Sequence, residues 1–289
     1  MRKLRRTMLF CPASEPKLYI NSIIYKPDCI IFDLEDAVAY CEKESARDLL
    51  CEAVKAVDFG SIEIFVRINS LSTEFGETDV RETVEAGVRN IRLPMCESKE
   101  DVLRLNGLLY EVEEQKGITA GTVKIQCAIE TPKGVLNAYD IATACDRVVA
   151  ISFGAEDFTR ALGTDRTREA KELYHARHYI PLAASAAGID SIDTVWSNID
   201  DMEGFIEEAR EAKTIGFSGK SCIHPLQVKE IHKIYTPTEK EIKESGTIIA
   251  AAEEAEKKGM GVILVNGKMV DAPIIAKANR ILERARQTK

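Results

Sequence analysis

Acidic side chains directly follow two apolar runs of the chain. Glu130 follows the run 123–129, and Glu156 and Asp157 follow the run 148–153 shortly after its end. Charges at the ends of buried strands are unfavourable unless each meets a partner. One or two carboxylates, together with water and substrate oxygens, are the usual ligands of Mg²⁺. The pattern therefore favours a Mg²⁺ site at Glu130 and Asp157, although loop carboxylates that pair with arginine or cap helices would show the same pattern.

Arg67 lies inside a further apolar run, in the stretch "FVRIN". A guanidinium in such a run needs an opposite charge. A structural partner would be Asp33 or Glu35, which end an earlier run in "IIFDLEDAV". A functional partner would be a substrate carboxylate, which a guanidinium holds with two parallel hydrogen bonds. Both can apply together if the acidic residues orient the arginine.

The elements that must position these residues are eight short apolar runs, most of them rich in valine and isoleucine, as is typical of strands buried on both faces. They are 8–11, 29–32, 62–68, 91–93, 123–129, 148–153, 189–195 and 221–223. Helical patterns lie between them. Eight strand–helix units within residues 1–235 predict a (β/α)8 TIM barrel, whose active site lies at the carboxyl ends of the strands. A doubly wound open sheet is the alternative, but the first strand is not followed by a glycine-rich turn.

Residues 236–289 have a different pattern, which predicts a C-terminal helix–hairpin–helix extension. Thr238 and Glu241 have the spacing of a capping box at the start of a helix. Asn266-Gly267 between two apolar runs indicates a hairpin, and a last helix is expected at 274–286. An extension of this kind can reach a neighbouring subunit.

The composition argues against several classes of protein. The chain has 289 residues and a formal net charge of −8, which disfavours nucleic acid as the main partner. No run approaches the roughly 20 apolar residues of a membrane span, and the first apolar run is too short for a signal peptide. The eight cysteines include no CxxC pair. We therefore expect a cytoplasmic protein with reduced thiols.

A set of motifs that covers nearly the whole chain occurs in the same order as in a known family. The motifs are "RRTMLFCPAS", "IIFDLEDAV", "VRIN", "RLPM", "AIETPKGV", "GAEDFTRALGT", "GFSGKSCIHPLQV" and "VNGKMVDAPI". With this set the chain resembles the citrate lyase beta subunits, in the citramalyl- and malyl-thioester lyase branch of the HpcH/HpaI aldolases. The resemblance implies a (β/α)8 barrel, Mg²⁺ as cofactor, and a homo-oligomer that is a trimer or hexamer.

The resemblance also implies roles for individual residues. Glu130 and Asp157 match the metal ligands of the family, and Arg67 matches the arginine that binds a substrate carboxylate. Asp271 matches the general acid/base, which such enzymes take from the C-terminal segment of a neighbouring subunit. The residues expected to contact the substrate are Arg67, Glu130, Phe10, Glu35 and Asp36.

The activity implied by the resemblance is Mg²⁺-dependent cleavage of a citryl thioester to oxaloacetate and an acetyl thioester, in a citrate lyase with alpha and gamma subunits. A malyl-CoA or citramalyl-CoA lyase of the same family is the alternative, because pocket shape decides between these substrates. A thioester hydrolase on the same scaffold is a further alternative. An interaction subunit without catalysis is disfavoured, because Arg67, Glu130, Asp157 and Asp271 are all present.

The segment after the first strand bears on the form of the thioester. In the relatives that use free CoA, an arginine and a lysine of this segment meet the cofactor phosphates. Glu15 and Asn21 stand at these positions here, and Lys17 is out of register. A glutamate beside a phosphate repels it by on the order of 1 kcal/mol at surface dielectric. The resemblance therefore implies that the substrate is a citryl thioester on an acyl carrier subunit, and that free citryl-CoA is a weaker substrate.

Overall fold

Eight parallel strands form a closed barrel in the computed structural model, which describes residues 3–257, 263–265 and 268–288. Each strand pairs with the next, and the eighth pairs with the first. The strands are β1 (Thr7–Pro12), β2 (Cys29–Asp33), β3 (Glu63–Arg67), β4 (Asn90–Leu93), β5 (Lys124–Ile129), β6 (Val148–Phe153), β7 (Asp190–Asp193) and β8 (Gly219–Cys222). Each overlaps one of the predicted runs, so the predicted (β/α)8 barrel is confirmed.

Helices connect successive strands, as a parallel barrel requires, and one further helix follows β8. They are α1 (Pro16–Ile24), α2 (Lys43–Ala56), α3 (Gly76–Ala86), α4 (Lys99–Gln115), α5 (Pro132–Leu136), α6 (Ala138–Ala142), α7 (Ala155–Leu162), α8 (Tyr174–Ala187), α9 (Met202–Ile215) and α10 (Pro225–Tyr235). Local sequence sets several of their starts. At α4, the Ser98 hydroxyl accepts the Asp101 N–H at 3.3 Å and the Asp101 carboxylate accepts the Ser98 N–H at 2.9 Å, which is a capping box.

Successive side chains of β8 point to opposite faces of the barrel wall. One of them has a structural role, and the next faces the barrel mouth. Lys220 is completely buried, and its Nζ donates to Asp193 at 2.7 Å and to Glu208 of α9 at 2.6 Å. Ser221, the next residue, lines a cavity at the carboxyl ends of the strands. The stretch "GFSGKS" is therefore part of the barrel wall, and its lysine compensates buried carboxylates.

The amino ends of the strands are held together by buried ion pairs. Arg5, just before β1, donates from Nε to Glu63 at 2.7 Å and from Nη1 to Asp190 at 2.8 Å. Glu63 begins β3 and Asp190 begins β7, so the network joins non-adjacent strands. Above it lies a small apolar cluster inside the barrel, formed by Met8, Cys29, Ile31, Phe65, Ala150 and Ile192. These side chains fill the interior of the barrel.

The chain divides into two compact units, Arg5–Ile234 and Met1–Leu4 with Tyr235–Lys289. In the second unit, α11 (Glu239–Lys257) packs against α12 (Ala272–Gln287), and β9 (Ile263–Val265) pairs antiparallel with β10 (Lys268–Val270). The predicted helix–hairpin–helix extension is therefore present. The predicted turn at Asn266-Gly267 lies outside the described residues.

The cysteines are all free thiols, in agreement with their spacing in the sequence. Cys29 and Cys127 are fully buried in the barrel strands, where a thiol acts as a small apolar side chain. Within the ranges that the structure describes, no helix is both long enough and apolar enough to cross a membrane.

Candidate active site

The carboxyl ends of the barrel strands surround a cavity of about 390 Å³, within the range of small-molecule sites. Five of the residues that the sequence predicted for the site line this cavity, and they come from β1, β3 and the segments after β2, β5 and β6. They are Phe10, Asp36, Arg67, Glu130 and Asp157. A sixth, Glu35, contacts Arg67 beside the cavity. Closure of the barrel thus brings six of the seven predicted residues together.

Arg67 is held by carboxylates from the segment that ends β2. Its Nε donates to Asp33 Oδ1 at 2.7 Å and its Nη1 donates to Asp36 Oδ2 at 3.0 Å, while Glu35 Oε2 lies 3.1 Å from Nη1. Burial alone would lower the pKa of Arg67, but the hydrogen bonds and charge of Asp33 raise it above its ordinary value. A substrate carboxylate would have to replace Asp36 or share Arg67 with it. Asp36 can yield, because its side chain is 70% exposed.

The pKa of the Glu35 carboxyl group is raised above its ordinary value. Burial raises its pKa to about 8, and the charge of Asp36 adds to this effect while that of Arg67 opposes it. A carboxyl group with a pKa near neutral pH is suited to accept and donate protons. Glu35 can therefore exchange a proton under conditions in which an ordinary glutamate stays ionised.

Glu130 occupies space that Gly154 leaves free. Its side chain is buried, and Oε2 accepts the Met95 N–H at 3.0 Å. A Cβ atom on Gly154 would lie 2.6 Å from Cγ of Glu130, which is closer than the two atoms can pack. Burial raises the pKa of Glu130, and the charge of Asp157 raises it further, against the effect of nearby arginines. A cation in the cavity would favour the ionised form.

Asp157 lies in the first turn of α7, with its side chain 26% exposed, and its Oδ1 is 2.6 Å from Arg160. Among the described residues, no group of three or more His, Cys, Asp or Glu is arranged as a metal site. Mg²⁺ commonly takes only one or two protein carboxylates and completes its coordination with waters and substrate. Two carboxylates that line one cavity, Glu130 and Asp157, fit this mode of binding.

Arg92 on β4 is a cavity residue that the sequence reasoning missed. It is 3% exposed, and its Nε has no hydrogen-bond partner among the described residues. Burial lowers its pKa to about 10. The guanidinium carbons of Arg92 and Arg67 each lie 5.2 Å from the ring centroid of Phe10, so the ring faces both cations. A charged residue inside an apolar run was the signal for Arg67, and the same signal in "IRL" would have identified Arg92.

Ser221 on β8 is a second cavity residue that the sequence reasoning missed, and unlike Arg92 it carries no signal in the sequence. It is 1% exposed, and its Oγ lacks a hydrogen-bond partner within the described part of the chain. A serine in a strand is not distinctive, so only its position in the barrel marks it as a site residue. Its hydroxyl can donate to or accept from a ligand in the cavity.

Asp271 belongs to the second compact unit and precedes α12. Its Oδ1 accepts the Ile274 N–H at 3.4 Å as the N-cap of that helix. The side chain thus has a structural contact within its own unit. Its expected action as an acid/base in a neighbouring subunit stays a prediction.

Comparison with known proteins gives relatives over almost the whole chain. A family model described as HpcH/HpaI aldolase/citrate lyase matches residues 6–225. A citrate lyase subunit beta from Haemophilus influenzae is 48% identical over 98% of each chain. An L-malyl-CoA/beta-methylmalyl-CoA lyase from Cereibacter sphaeroides is 33% identical over 97% of this chain and 94% of its own. The crystal structure of CitE from Mycobacterium tuberculosis with magnesium, acetoacetate and coenzyme A is 30% identical, with a TM-score of 0.77 over 99% of this chain and 100% of that one.

Proposed function

Because the chain belongs to the HpcH/HpaI aldolase/citrate lyase family, we propose that it is a Mg²⁺-dependent carbon–carbon lyase that cleaves a citryl thioester to oxaloacetate and an acetyl thioester. The observation that carries the proposal is the full-length similarity to a citrate lyase subunit beta, at 48% identity against 33% for the malyl-CoA lyase. The two arginines on the cavity wall support it, since the substrate carries carboxylates.

Glu130 and Asp157 are the proposed ligands of Mg²⁺. Glu130 is buried and oriented by the Met95 N–H, so it presents its carboxylate in a defined position. Asp157 is partly exposed and exchanges its contact with Arg160 for the cation. When bound, Mg²⁺ supplies a Lewis acid for the hydroxyl and a carboxylate of the substrate. The CitE structure contains magnesium, which supports Mg²⁺ as the cofactor.

In this proposal, Arg67 binds the substrate and Asp271 transfers a proton. Arg67, held in place by Asp33, binds a carboxylate of the substrate and keeps the scissile bond oriented. The hydroxyl passes its proton to a water molecule in the cavity as the carbon–carbon bond breaks, and the bonding electron pair passes to the methylene carbon that becomes the methyl carbon of the acetyl thioester. Asp271 of a neighbouring subunit donates a proton to that carbon, which yields the methyl group. Such acid–base assistance is typically worth about 10²–10⁴-fold in rate.

The acyl group arrives on an acyl carrier subunit in this proposal. Glu15 Oε2 lies 3.1 Å from Lys17 Nζ, and both side chains are exposed. The glutamate therefore partly compensates the charge of Lys17, in the segment where the phosphates of CoA would need free cations. Contacts between the proteins replace the missing phosphate contacts. Because the CitE relative binds coenzyme A, free citryl-CoA is expected to serve as a substrate. It is expected to be the weaker one, because this chain lacks the cations that would bind the CoA phosphates.

The proposed function implies that this chain assembles with alpha and gamma subunits into a citrate lyase. The name of the relative from Haemophilus influenzae, a subunit beta, supports such an assembly. The chain itself forms a trimer or hexamer, which places Asp271 of one subunit at the barrel of the next.

The test is an assay of the purified chain with Mg²⁺ and four substrates: the citryl carrier, citryl-CoA, citramalyl-CoA and malyl-CoA. We expect oxaloacetate from both citryl thioesters, with the lower KM for the citryl carrier. Equal KM values would contradict the carrier proposal. Release of citrate instead of oxaloacetate would identify a hydrolase, and a higher kcat/KM for malyl-CoA or citramalyl-CoA would identify the alternative lyase. The variant Glu130→Gln, which keeps the side-chain volume, should be inactive with every substrate.

A further inference from the structure

Arg92 is a buried cation in the proposed site for which the reaction described above has no role. It lines the cavity and is 3% exposed. Its Nη1 donates to Gln126 Oε1 at 3.3 Å, while its Nε has no hydrogen-bond partner among the described residues. A buried charge is unfavourable unless hydrogen bonds and an opposite charge compensate it. The site therefore offers an unused donor to an anion in the cavity.

Arg67, the other arginine of the cavity wall, has its donors occupied, so a substrate carboxylate must replace Asp36 or share Arg67 with it. Asp33 binds its Nε, and Asp36 and Glu35 both lie at its Nη1. The two guanidinium carbons lie at the same distance, 5.2 Å, from the ring of Phe10. They are thus two separate cationic positions around one aromatic side chain. Arg67 and Arg92 are register partners on the neighbouring strands β3 and β4. A ligand with two carboxylates can therefore bind both arginines, whereas a ligand with one carboxylate leaves one of them without a substrate carboxylate.

The candidate substrates of this family differ at one substituent. The carbon that bears the hydroxyl carries a carboxylate in all three, and its remaining substituent is hydrogen in a malyl thioester, methyl in a citramalyl thioester and carboxymethyl in a citryl thioester. Only the citryl group therefore has a second free carboxylate. On the basis of the proposed function, we infer that Arg92 binds this second carboxylate and selects citryl over citramalyl and malyl thioesters.

A structural role for Arg92 would have different consequences. The charge of Glu130 interacts with Arg92, so the arginine could simply balance a buried carboxylate. In that case its loss would disturb Glu130 and impair all three substrates alike. A specificity role changes the ratio between substrates, because a site built to bind a polar group discriminates strongly against an analogue that lacks it.

The experiment compares Arg92→Met with the matched control Arg81→Met, which removes an arginine that is paired with Glu111 on the surface. The kcat/KM is measured for citryl, citramalyl and malyl thioesters of CoA. We expect Arg92→Met to lower kcat/KM for the citryl thioester by about 10³-fold or more relative to that for the citramalyl thioester. Arg81→Met should leave the ratio unchanged. An equal loss with all three substrates, or no loss with the citryl thioester, would overturn the inference.

Product binding separates this inference from the proposed function. Isothermal titration calorimetry with Mg²⁺ present measures the affinity of the protein for oxaloacetate, which has two carboxylates, and for pyruvate, which has one. We expect the preference of the wild-type protein for oxaloacetate to disappear in Arg92→Met, and Arg92→Gln provides the same test if the methionine variant does not fold. A preference that survives both substitutions would overturn the inference. Absence of oxaloacetate release by the wild-type protein would instead overturn the proposed function, and the titration would still decide the role of Arg92.

Discussion

At the scale of single residues, Asp33 determines how Arg67 can act. The carboxylate accepts two hydrogen bonds from Arg67 and also accepts the backbone N–H groups of Glu35 and Ala37. Its orientation is therefore set by the backbone that follows β2, and it transmits this orientation to the guanidinium. Asp33 is a positioning residue in the proposed site, and it explains why an arginine can end a buried strand.

Gly154 gives a direct test of the metal position. Gly154→Ala should displace the Glu130 side chain, because the new Cβ would lie 2.6 Å from Cγ of Glu130. The φ angle of −111° at Gly154 is open to alanine, so the effect is steric and not conformational. We expect Mg²⁺ affinity, measured by titration calorimetry, to fall about 10-fold or more.

The control for this substitution is Gly107→Ala on α4, where a Cβ meets no atom within 4 Å. It should leave Mg²⁺ affinity unchanged and stabilise the helix by about 0.5–1 kcal/mol. Unchanged Mg²⁺ affinity in Gly154→Ala would remove Glu130 from the metal site.

Glu35 predicts a pH dependence of stability. Its pKa in the folded protein is raised to about 8 by burial, so the folded state favours the protonated carboxyl. The stabilisation is fully present below the unfolded pKa of about 4.5 and is lost as the pH rises through about 8. Glu35→Gln removes this titration. Its free energy of unfolding relative to wild type should therefore increase by about 1 kcal/mol or more between pH 5 and pH 9.

Denaturant unfolding at several pH values in EDTA measures this effect of Glu35. Glu77→Gln, which replaces an exposed glutamate paired with Arg104, controls for the loss of one carboxylate. A difference between Glu35→Gln and wild type that does not change with pH would show that Glu35 ionises normally.

At the scale of elements, the extension combines a helix cap with the expected acid/base. Asp271→Asn should keep the cap of α12, because asparagine and aspartate are equally good N-caps, but it removes the group that transfers the proton. We expect unfolding free energy to stay within about 0.5 kcal/mol of wild type while kcat falls about 10²–10⁴-fold. Substrate and Mg²⁺ should still bind.

Asp201→Asn is the matched control, since Asp201 caps α9 through the Gly204 N–H at 2.9 Å. It should change neither stability nor kcat appreciably. If Asp271→Asn keeps full kcat, the role of Asp271 is limited to capping.

At the scale of the whole molecule, action across a subunit interface predicts complementation. Glu130→Gln and Asp271→Asn subunits should each be inactive alone, because one lacks a metal ligand and the other lacks the acid/base. After dissociation and joint reassembly, some sites would combine an intact barrel with an intact extension. For random mixing of equal amounts we expect about a quarter of the sites to recover, as measured by oxaloacetate release. Well-mixed oligomers without activity would contradict action in trans.

The sequence alone predicted the architecture and five of the residues that line the candidate cavity. The barrel strands could be recognised because a strand buried on both faces needs a continuous apolar run, and the hairpin strands because two apolar runs flank a turn signal. Glu130 and Asp157 could be placed at one mouth because all parallel strands of a barrel end on the same side. These features depend on local composition and on one topological rule, and both can be recognised from a single sequence.

Only the tertiary structure decided which charges are compensated. Arg67 and Arg92 look alike in sequence, yet Arg67 meets three carboxylates and Arg92 leaves its Nε without a partner among the described residues. The close approach of Glu130 to Gly154 likewise joins the segments that follow β5 and β6. The physical reason is that hydrogen-bond saturation depends on side chains brought together by barrel closure from distant parts of the chain, and no local pattern records that arrangement.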